Sequence, residues 1–178
     1  MTTAASLLIA TLLSAPATPP AAAGGVLQIS GTLPKGGSLS ISDLEAMGPV
    51  TSAWTLHGEK REVYGVPVDK VLSRFGFEPG PMGKSVPKQE KRKGWRMVVI
   101  ATAADGFQAV LSCAEVFESM GPTKALLVWK IDGKPLQGEQ GPLRLVVLTD
   151  KEPSRSIYGV RALEVVEPRG AQAASTLR

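Results

Sequence analysis

The stretch GPLRLVVL, Gly141–Leu148, decides the fold of the chain because it predicts a strand that is covered on both faces. Side chains of a strand alternate between two faces. One face takes the aliphatic residues Leu143, Leu145 and Val147. The other takes Arg144, Val146 and Leu148. A guanidinium on a buried apolar face is costly unless an anion meets it, so we expect Arg144 to contact an anion of the protein or of a ligand.

Neighbouring stretches predict further strands and the turns between them. The stretch RMVVIATAADGFQAVLS, residues 96–112, places Asp105-Gly106 between two apolar runs, which is the strongest hairpin signal in the chain. Two more strands are expected around a turn at His57–Lys60, and another strand ends at the Asp132-Gly133 turn. The stretch SIYGVRALEVVE, residues 156–167, predicts a final long strand.

Short helices complete the predicted architecture. The stretch VPVDKVLSRFG, residues 66–76, has Pro67 near the first helical position and Gly76 at the end. Two capping boxes, Ser42 with Glu45 and Ser112 with Glu115, predict two further helix starts. About eight strands with two or three short helices indicate an α+β fold of mixed, mostly antiparallel β-sheets.

The amino-terminal region predicts an export signal. No charged side chain precedes Lys35, and SLLIATLLSA, residues 6–15, has the length of a signal-peptide core rather than of a membrane span. Cleavage after Ala23 is favoured over cleavage after Ala17, and the alternative is a disordered or membrane-anchoring segment. We expect a signal peptide at 1–23, a single domain at 24–168 and a disordered tail at 169–178. The protein is then periplasmic or secreted, with no membrane span in the mature chain.

Charge and residue counts exclude several classes of site. The 178 residues carry a net charge of +4, too small for a nucleic-acid footprint, so no nucleic-acid partner is expected. A single cysteine, Cys113, allows no intramolecular disulfide, and with a single histidine, His57, a His/Cys zinc site is nearly excluded. The basic segment Lys84–Arg96 is interpreted as a solvated loop, and the alternative is an interaction module that docks on an acidic partner.

The residues provide no catalytic constellation. His57 is the only group that could serve as base in a Ser-His-Asp arrangement, and Glu59 and Lys60 beside it favour a surface imidazole. Cys113 lies close to a predicted helix start, where the local dipole favours a thiolate. A free cysteine is more often a small buried core residue, and this interpretation is favoured.

The order of these segments resembles a known family. The stretches are YGVPVDKVLSRFG (64–76), VVIATAADGFQAVLSCAEVF (98–117) and LLVWKIDGKPLQGEQGPLRLVVLTDKEPSRSIYGVRALEVVE (126–167). Together they resemble the oxidoreductase molybdopterin-binding domain, the catalytic-domain fold of the sulfite oxidase family, over Gly31–Glu167. The resemblance implies that fold and, as an expectation, a pocket for molybdopterin.

The same resemblance implies a cofactor pocket that this chain retains only in part. Where the family has TLQCAGNR, whose cysteine binds molybdenum, Trp54–Arg61 reads WTLHGEKR. Arg144 is retained in QGPLR, whereas the histidine of the family's HGxPLR is replaced by Gln140 or lost. The pterin-contacting RxVKW becomes RSIYG, Arg155–Gly159. The candidate ligand- or cofactor-binding residues are therefore Arg144, Arg155, His57 and Tyr158, and no metal ligand is assigned.

Three hypotheses follow. The leading one is an exported, non-catalytic domain that binds a small anion or ligand and holds no cofactor. The second is a molybdopterin-dependent oxidoreductase of the sulfite oxidase type, with the pterin held by Arg144 and Arg155. The third is the interaction module that uses the basic 84–96 loop. For Arg144 a pocket for pyrophosphate or carboxylate and an internal ion pair with an acid such as Asp150 stay equally open.

Overall fold

The computed structural model describes residues 26–79, 94–118, 121 and 124–168. Within these ranges it contains ten strands: β1 Leu27–Gly31, β2 Gly37–Leu39, β3 Val50–Leu56, β4 Glu59–Pro67, β5 Val98–Ala103, β6 Gln108–Ser112, β7 Ala125–Ile131, β8 Lys134–Pro135, β9 Arg144–Val147 and β10 Val160–Val166. The α-helices that lie wholly within the same ranges are α1 Ile41–Glu45, α2 Val68–Arg74 and α3 Cys113–Val116. Two 3-10 turns, Gly138–Gln140 and Pro153–Arg155, flank β9.

The strands form two sheets. Sheet I has the order β2-β1-β10-β5-β6, and sheet II has the order β3-β4-β7-β8, with β9 also paired to β7. Only the β1–β10 pair among these described strands is parallel, whereas the other pairs are antiparallel. The predicted α+β fold with mostly antiparallel sheets is confirmed.

Two apolar clusters lie on opposite faces of sheet II. The larger, which we call the inner core, draws residues from both sheets, including Ile29, Val99, Leu127, Leu145 and Leu163. The smaller, which we call the outer cluster, contains Trp54, Val63, Leu126, Val128 and Val146. Strand β9 therefore has buried apolar neighbours on both sides, as its sequence predicts.

The alternation predicted for β9 is confirmed. Leu143, Leu145 and Val147 belong to the inner core. Val146 and the half-buried Leu148 belong to the outer cluster. Arg144 shares their face, since its guanidinium contacts Trp54.

The two predicted Asp-Gly turns are also confirmed, whereas the turn predicted at His57–Lys60 is confined to His57 and Gly58, because β4 begins at Glu59. Asp105-Gly106 joins β5 to β6, and Asp132-Gly133 joins β7 to β8. His57 and Gly58, between β3 and β4, have φ angles of 49° and 83°, as the tightest hairpin turns require. Glycine is needed at 65 for a different reason, because a Cβ there would overlap the carbonyl oxygen of Leu127 on the neighbouring strand.

Helix starts are confirmed in two of three places. Val68, which follows Pro67, begins α2, and Ser112 and Glu115 form the predicted capping box of α3. The capping box predicted at Ser42 with Glu45 is wrong. The cap of α1 is Ser40, whose side chain accepts from the Asp43 amide while the Asp43 carboxylate accepts from the Ser40 amide. Both pairs have the same spacing, and the strand β2 that ends at Leu39 determines which serine is used.

The final strand is shorter than its sequence predicts. Strand β10 begins at Val160, whereas Pro153–Arg155 forms a 3-10 turn and Gly159 has a φ of 56°. The positive φ breaks the extended backbone that residues 156–159 were expected to have.

Several predictions fall outside the described residues. These are the signal peptide at 1–23, the tail at 169–178 and most of the basic 84–96 loop. In the part of the chain that the structure describes, no helix is both long enough and apolar enough to span a bilayer.

Candidate functional site

Arg144 is the centre of the candidate site. It begins β9, opposite Val128 of β7, and its side chain is only 2% exposed. Strands β7 and β4 lie between β9 and β3 in the sheet, yet the guanidinium carbon of Arg144 lies 4.5 Å from the Trp54 ring centre. The same carbon lies 3.7 Å from the ring centre of Tyr158. Because Tyr158 is 42% exposed, its ring covers the guanidinium on the solvent side.

Tyr158 is held there by backbone pairing beside β9. The Leu145 amide donates to the Ile157 carbonyl at 2.9 Å, and the Val160 amide donates to the Leu143 carbonyl at 2.9 Å. Ile157 packs into the inner core. The next residue, Tyr158, places its ring against the Arg144 guanidinium on the outer face of sheet II.

The charge of Arg144 has no protein counter-ion among the described residues. None of their ion pairs includes it, and its Nε atom is buried without a hydrogen-bond partner. Burial lowers the pKa of Arg144, and the neighbouring Tyr158 opposes that shift only in part. The predicted alternative, an ion pair with Asp150, is not found because Asp150 binds Arg155.

Arg155 is engaged inside the protein. Its Nε and Nη2 donate to the two carboxylate oxygens of Asp150 at 2.8 and 2.6 Å, and its Nη1 donates to Glu115 at 3.2 Å. The bonds to Asp150 raise the pKa of Arg155, although burial opposes the shift, and Glu115 adds to it. This two-acid clamp ties the 3-10 turn after β9 to helix α3. Its described polar contacts are with these acids, and the cation–π contacts of the described residues do not include it.

His57 lies in the exposed turn between β3 and β4. It is Trp54, on the preceding strand β3, that reaches Arg144. Of the four predicted site residues the structure therefore brings together two, Arg144 and Tyr158.

Trp54 is the site residue that the sequence reasoning missed. It is 2% exposed and belongs to the outer cluster. The alternation of β3 was a usable signal, because it places Val50, Ser52 and Trp54 on one face. It could not show that this face is the one used by Arg144, since β3 and β9 are joined only through two other strands.

Cys113 is a buried core residue, as the sequence analysis favoured. It is fully buried in the inner core, on the opposite face of sheet II from Arg144. Burial raises the pKa of its thiol to about 12. The dipole of a four-residue helix does not outweigh this loss of hydration.

The described residues do not fit a thiolate-ligated molybdenum. The β3–β4 hairpin carries no cysteine, and the thiol of Cys113 is protonated and faces the inner core. No group of three or more His, Cys, Asp or Glu side chains within the described ranges is arranged to hold a metal ion. Of the two arginines assigned to the pterin, Arg155 is already neutralised by carboxylates.

A groove of about 320 Å³ opens near the outer cluster. Val50, Leu126 and Leu148 contribute its apolar part, and Lys70 and Lys124 are among its charged residues. Arg144 does not line this groove, and the Tyr158 ring lies over its guanidinium.

Comparison with known proteins supports the fold. No family model and no curated protein matches the sequence. Among solved structures, the chain is similar to the sulfane dehydrogenase SoxCD from Paracoccus pantotrophus, with a TM-score of 0.60 and 18% sequence identity. The match covers 80% of this chain but only 38% of that chain. The likeness shows a sulfite oxidase-type fold, which the sequence resemblance implied.

Proposed function

We propose that this protein is an exported, non-catalytic domain of the sulfite oxidase-type fold that binds a small oxyanion or carboxylate at Arg144. The observation that carries the proposal is the buried guanidinium without a carboxylate partner in the described structure. A buried charge without a counter-ion is costly, and a bound anion would remove that cost.

The chemistry of the guanidinium selects the ligand class. Its planar fork donates two parallel hydrogen bonds to carboxylate, sulfate or phosphate oxygens. Aromatic rings at Trp54 and Tyr158 stabilise the cation without neutralising it, so the full charge stays available. Rotation of the Tyr158 side chain, which is already 42% exposed, would open the path from solvent.

The non-catalytic part of the proposal rests on the reactive groups. The Cys113 thiol is buried on the other face of sheet II, and His57 lies in an exposed turn. Neither group is placed beside Arg144, where a bound anion would need a nucleophile or a base within hydrogen-bond reach.

Anion binding can be tested by thermal unfolding in chloride buffer with added sulfate, phosphate or acetate. We expect a saturable rise in Tm for the wild type, absent in Arg144→Met and reduced in Arg144→Lys, which keeps the charge but loses the fork. Arg161→Met is the matched control, because Arg161 is exposed on β10. Sulfate and phosphate also stabilise proteins without binding, so an equal rise in all four proteins would refute the site.

Export can be tested separately. When the full chain is expressed in a bacterial host, we expect the protein in the periplasm or medium with Gly24 at its amino terminus. Recovery of the uncleaved chain in the cytoplasm would contradict export and leave the anion site unaffected.

A molybdopterin-dependent oxidoreductase is the second candidate, favoured by the fold likeness to a sulfane dehydrogenase. Protein purified from a molybdenum-replete host should then contain stoichiometric molybdenum and release a fluorescent pterin after denaturation and oxidation. Absence of both would remove this candidate, and their presence would overturn the non-catalytic proposal.

A further inference from the structure

Strand β6 is an edge strand of sheet I in the part of the chain that the structure describes. Within the described structure it pairs only with β5. The Ala103 amide donates to the Phe107 carbonyl, and the Cys113 amide donates to the Met97 carbonyl, both at 2.9 Å. Odd-numbered residues therefore direct their backbone polar groups to β5, and the even-numbered Gln108 and Val110 direct theirs away from the sheet.

This edge lacks the usual protection against strand pairing. Gln108–Ser112 contains no charged residue and no proline. The opposite edge of the same sheet is different, because β2 is only three residues long and follows Pro34 and Lys35. Natural edge strands are normally short, charged or interrupted, so an uncharged five-residue edge indicates a pairing surface.

The side chains of the edge are apolar on the outer face of sheet I. Val110 is 51% exposed, and its neighbour on β5 is the half-buried Ile100. Phe107, just before the strand, is 55% exposed. The exposed charges Arg161 and Glu164 lie on β10, further into the sheet. The apolar surface is thus concentrated at the edge, where an added strand would cover it.

We propose that a second copy of this chain pairs with β6 in the antiparallel direction, with Val110 opposite Val110 on a twofold axis. In this register the two outward-facing Val110 residues exchange backbone hydrogen bonds, and Gln108 of each copy lies opposite Ser112 of the other. The Ser112 amide already donates to Glu115 at 3.0 Å, so the pairing ends at that residue.

The strand is self-complementary, which favours a second copy over an unrelated peptide. The apolar residue meets itself at the axis, and the polar residues on either side meet each other. No like charges come into opposition, since the strand carries none. A contact of this kind is isologous and closes as a dimer. It goes beyond the proposed anion site and does not depend on it.

Sedimentation equilibrium over roughly 10 µM to 1 mM tests the proposal, because so small an interface gives a weak dimer. We expect concentration-dependent dimerisation of the wild type and of Thr51→Lys, which adds a lysine at an exposed position on β3, a free edge of sheet II. Val110→Lys should be monomeric with an unchanged circular dichroism spectrum. A monomeric wild type, or loss of the dimer in Thr51→Lys alone, would overturn the pairing.

Disulfide formation tests the register. Cα atoms of a hydrogen-bonded antiparallel pair are about 5.5 Å apart, within disulfide range. Val110→Cys should therefore form a covalent dimer on mild oxidation, while Gln108→Cys should not, because the two substituted residues lie several residues apart across the axis. Equal crosslinking of both variants would indicate random collision and refute the register.

Discussion

Arg144→Met separates a ligand role from a structural role for the buried guanidinium. Methionine keeps an unbranched apolar side chain over the outer cluster and removes the charge. The effective desolvation penalty of a buried ion is several kcal/mol. Two desolvated cation–π contacts, at 4.5 Å to Trp54 and 3.7 Å to Tyr158, return about 2 kcal/mol each at most. Methionine sulfur regains about 0.5–1 kcal/mol against the same rings.

In the absence of anions, the desolvation penalty of the guanidinium exceeds the contribution of its cation–π contacts, so methionine at 144 should be the more stabilising residue. We expect the free energy of unfolding of Arg144→Met to exceed that of the wild type by about 1–2 kcal/mol, or the Tm to rise by roughly 2–8 °C. Urea unfolding in anion-poor chloride buffer measures this difference, with Arg161→Met as the surface control within about 0.5 kcal/mol of wild type. If the free energy of unfolding of Arg144→Met falls by more than about 2 kcal/mol while that of the control does not, the guanidinium stabilises the fold by itself and needs no bound anion, which would contradict the proposed site.

Three further predictions address the rest of the structure. Cys113 should react with a thiol reagent at pH 8 roughly a thousandfold more slowly than the exposed cysteine of Thr51→Cys, because its own thiol is buried and has a pKa of about 12. Comparable rates would contradict the place of Cys113 in the core. The second prediction concerns Glu115. Burial alone would raise the pKa of its carboxyl group, but hydrogen bonds from Ser112 and Arg155 lower that pKa below 4.5. Its stabilisation, about 0.5–1 kcal/mol for a 39% exposed carboxylate, is present above pH 4.5 and is lost as the pH falls through the lowered value. Glu115→Gln should therefore flatten the acid limb of the stability curve measured by urea unfolding, and an unchanged limb would refute the clamp. Gly65→Ala should lower the free energy of unfolding by roughly 2–3 kcal/mol, since its Cβ would overlap Leu127, and a variant as stable as wild type would show that the β4–β7 approach is looser than described.

The features that could be predicted from the sequence are those set by nearby residues. Alternation along Gly141–Leu148 predicted which side chains of β9 face the inner core. Asp105-Gly106 predicted its hairpin because the turn needs only those two residues and their flanking strands. The α1 cap could not be predicted in this way, because Ser40 and Ser42 have the same spacing to an acid and only the end of β2 distinguishes them.

The partners of the two arginines could not be predicted because they depend on tertiary packing. Asp150 was a reasonable predicted partner for Arg144 because it lies only a few residues further along the chain. The alternation of side chains on β9 places Arg144 on the outer face, and Asp150 instead binds Arg155 in the turn after the strand. Glu115 also binds Arg155, from helix α3, which follows β6 of sheet I. The residues around Glu115 in the sequence do not indicate that contact.

Arg144 and Arg155, to which the family resemblance gives the same role, differ in the charges that surround them. Arg155 is bound to two carboxylates, so at neutral pH its cluster carries an excess negative charge and repels an incoming anion. Arg144 is bounded by two neutral rings, so an anion that displaces Tyr158 meets an undiminished positive charge in a poorly hydrated place, where the attraction is strongest. The proposed function therefore assigns the anion to Arg144 and not to Arg155, and neutralising Asp150 with Asp150→Asn should leave anion-dependent stabilisation at Arg144 intact.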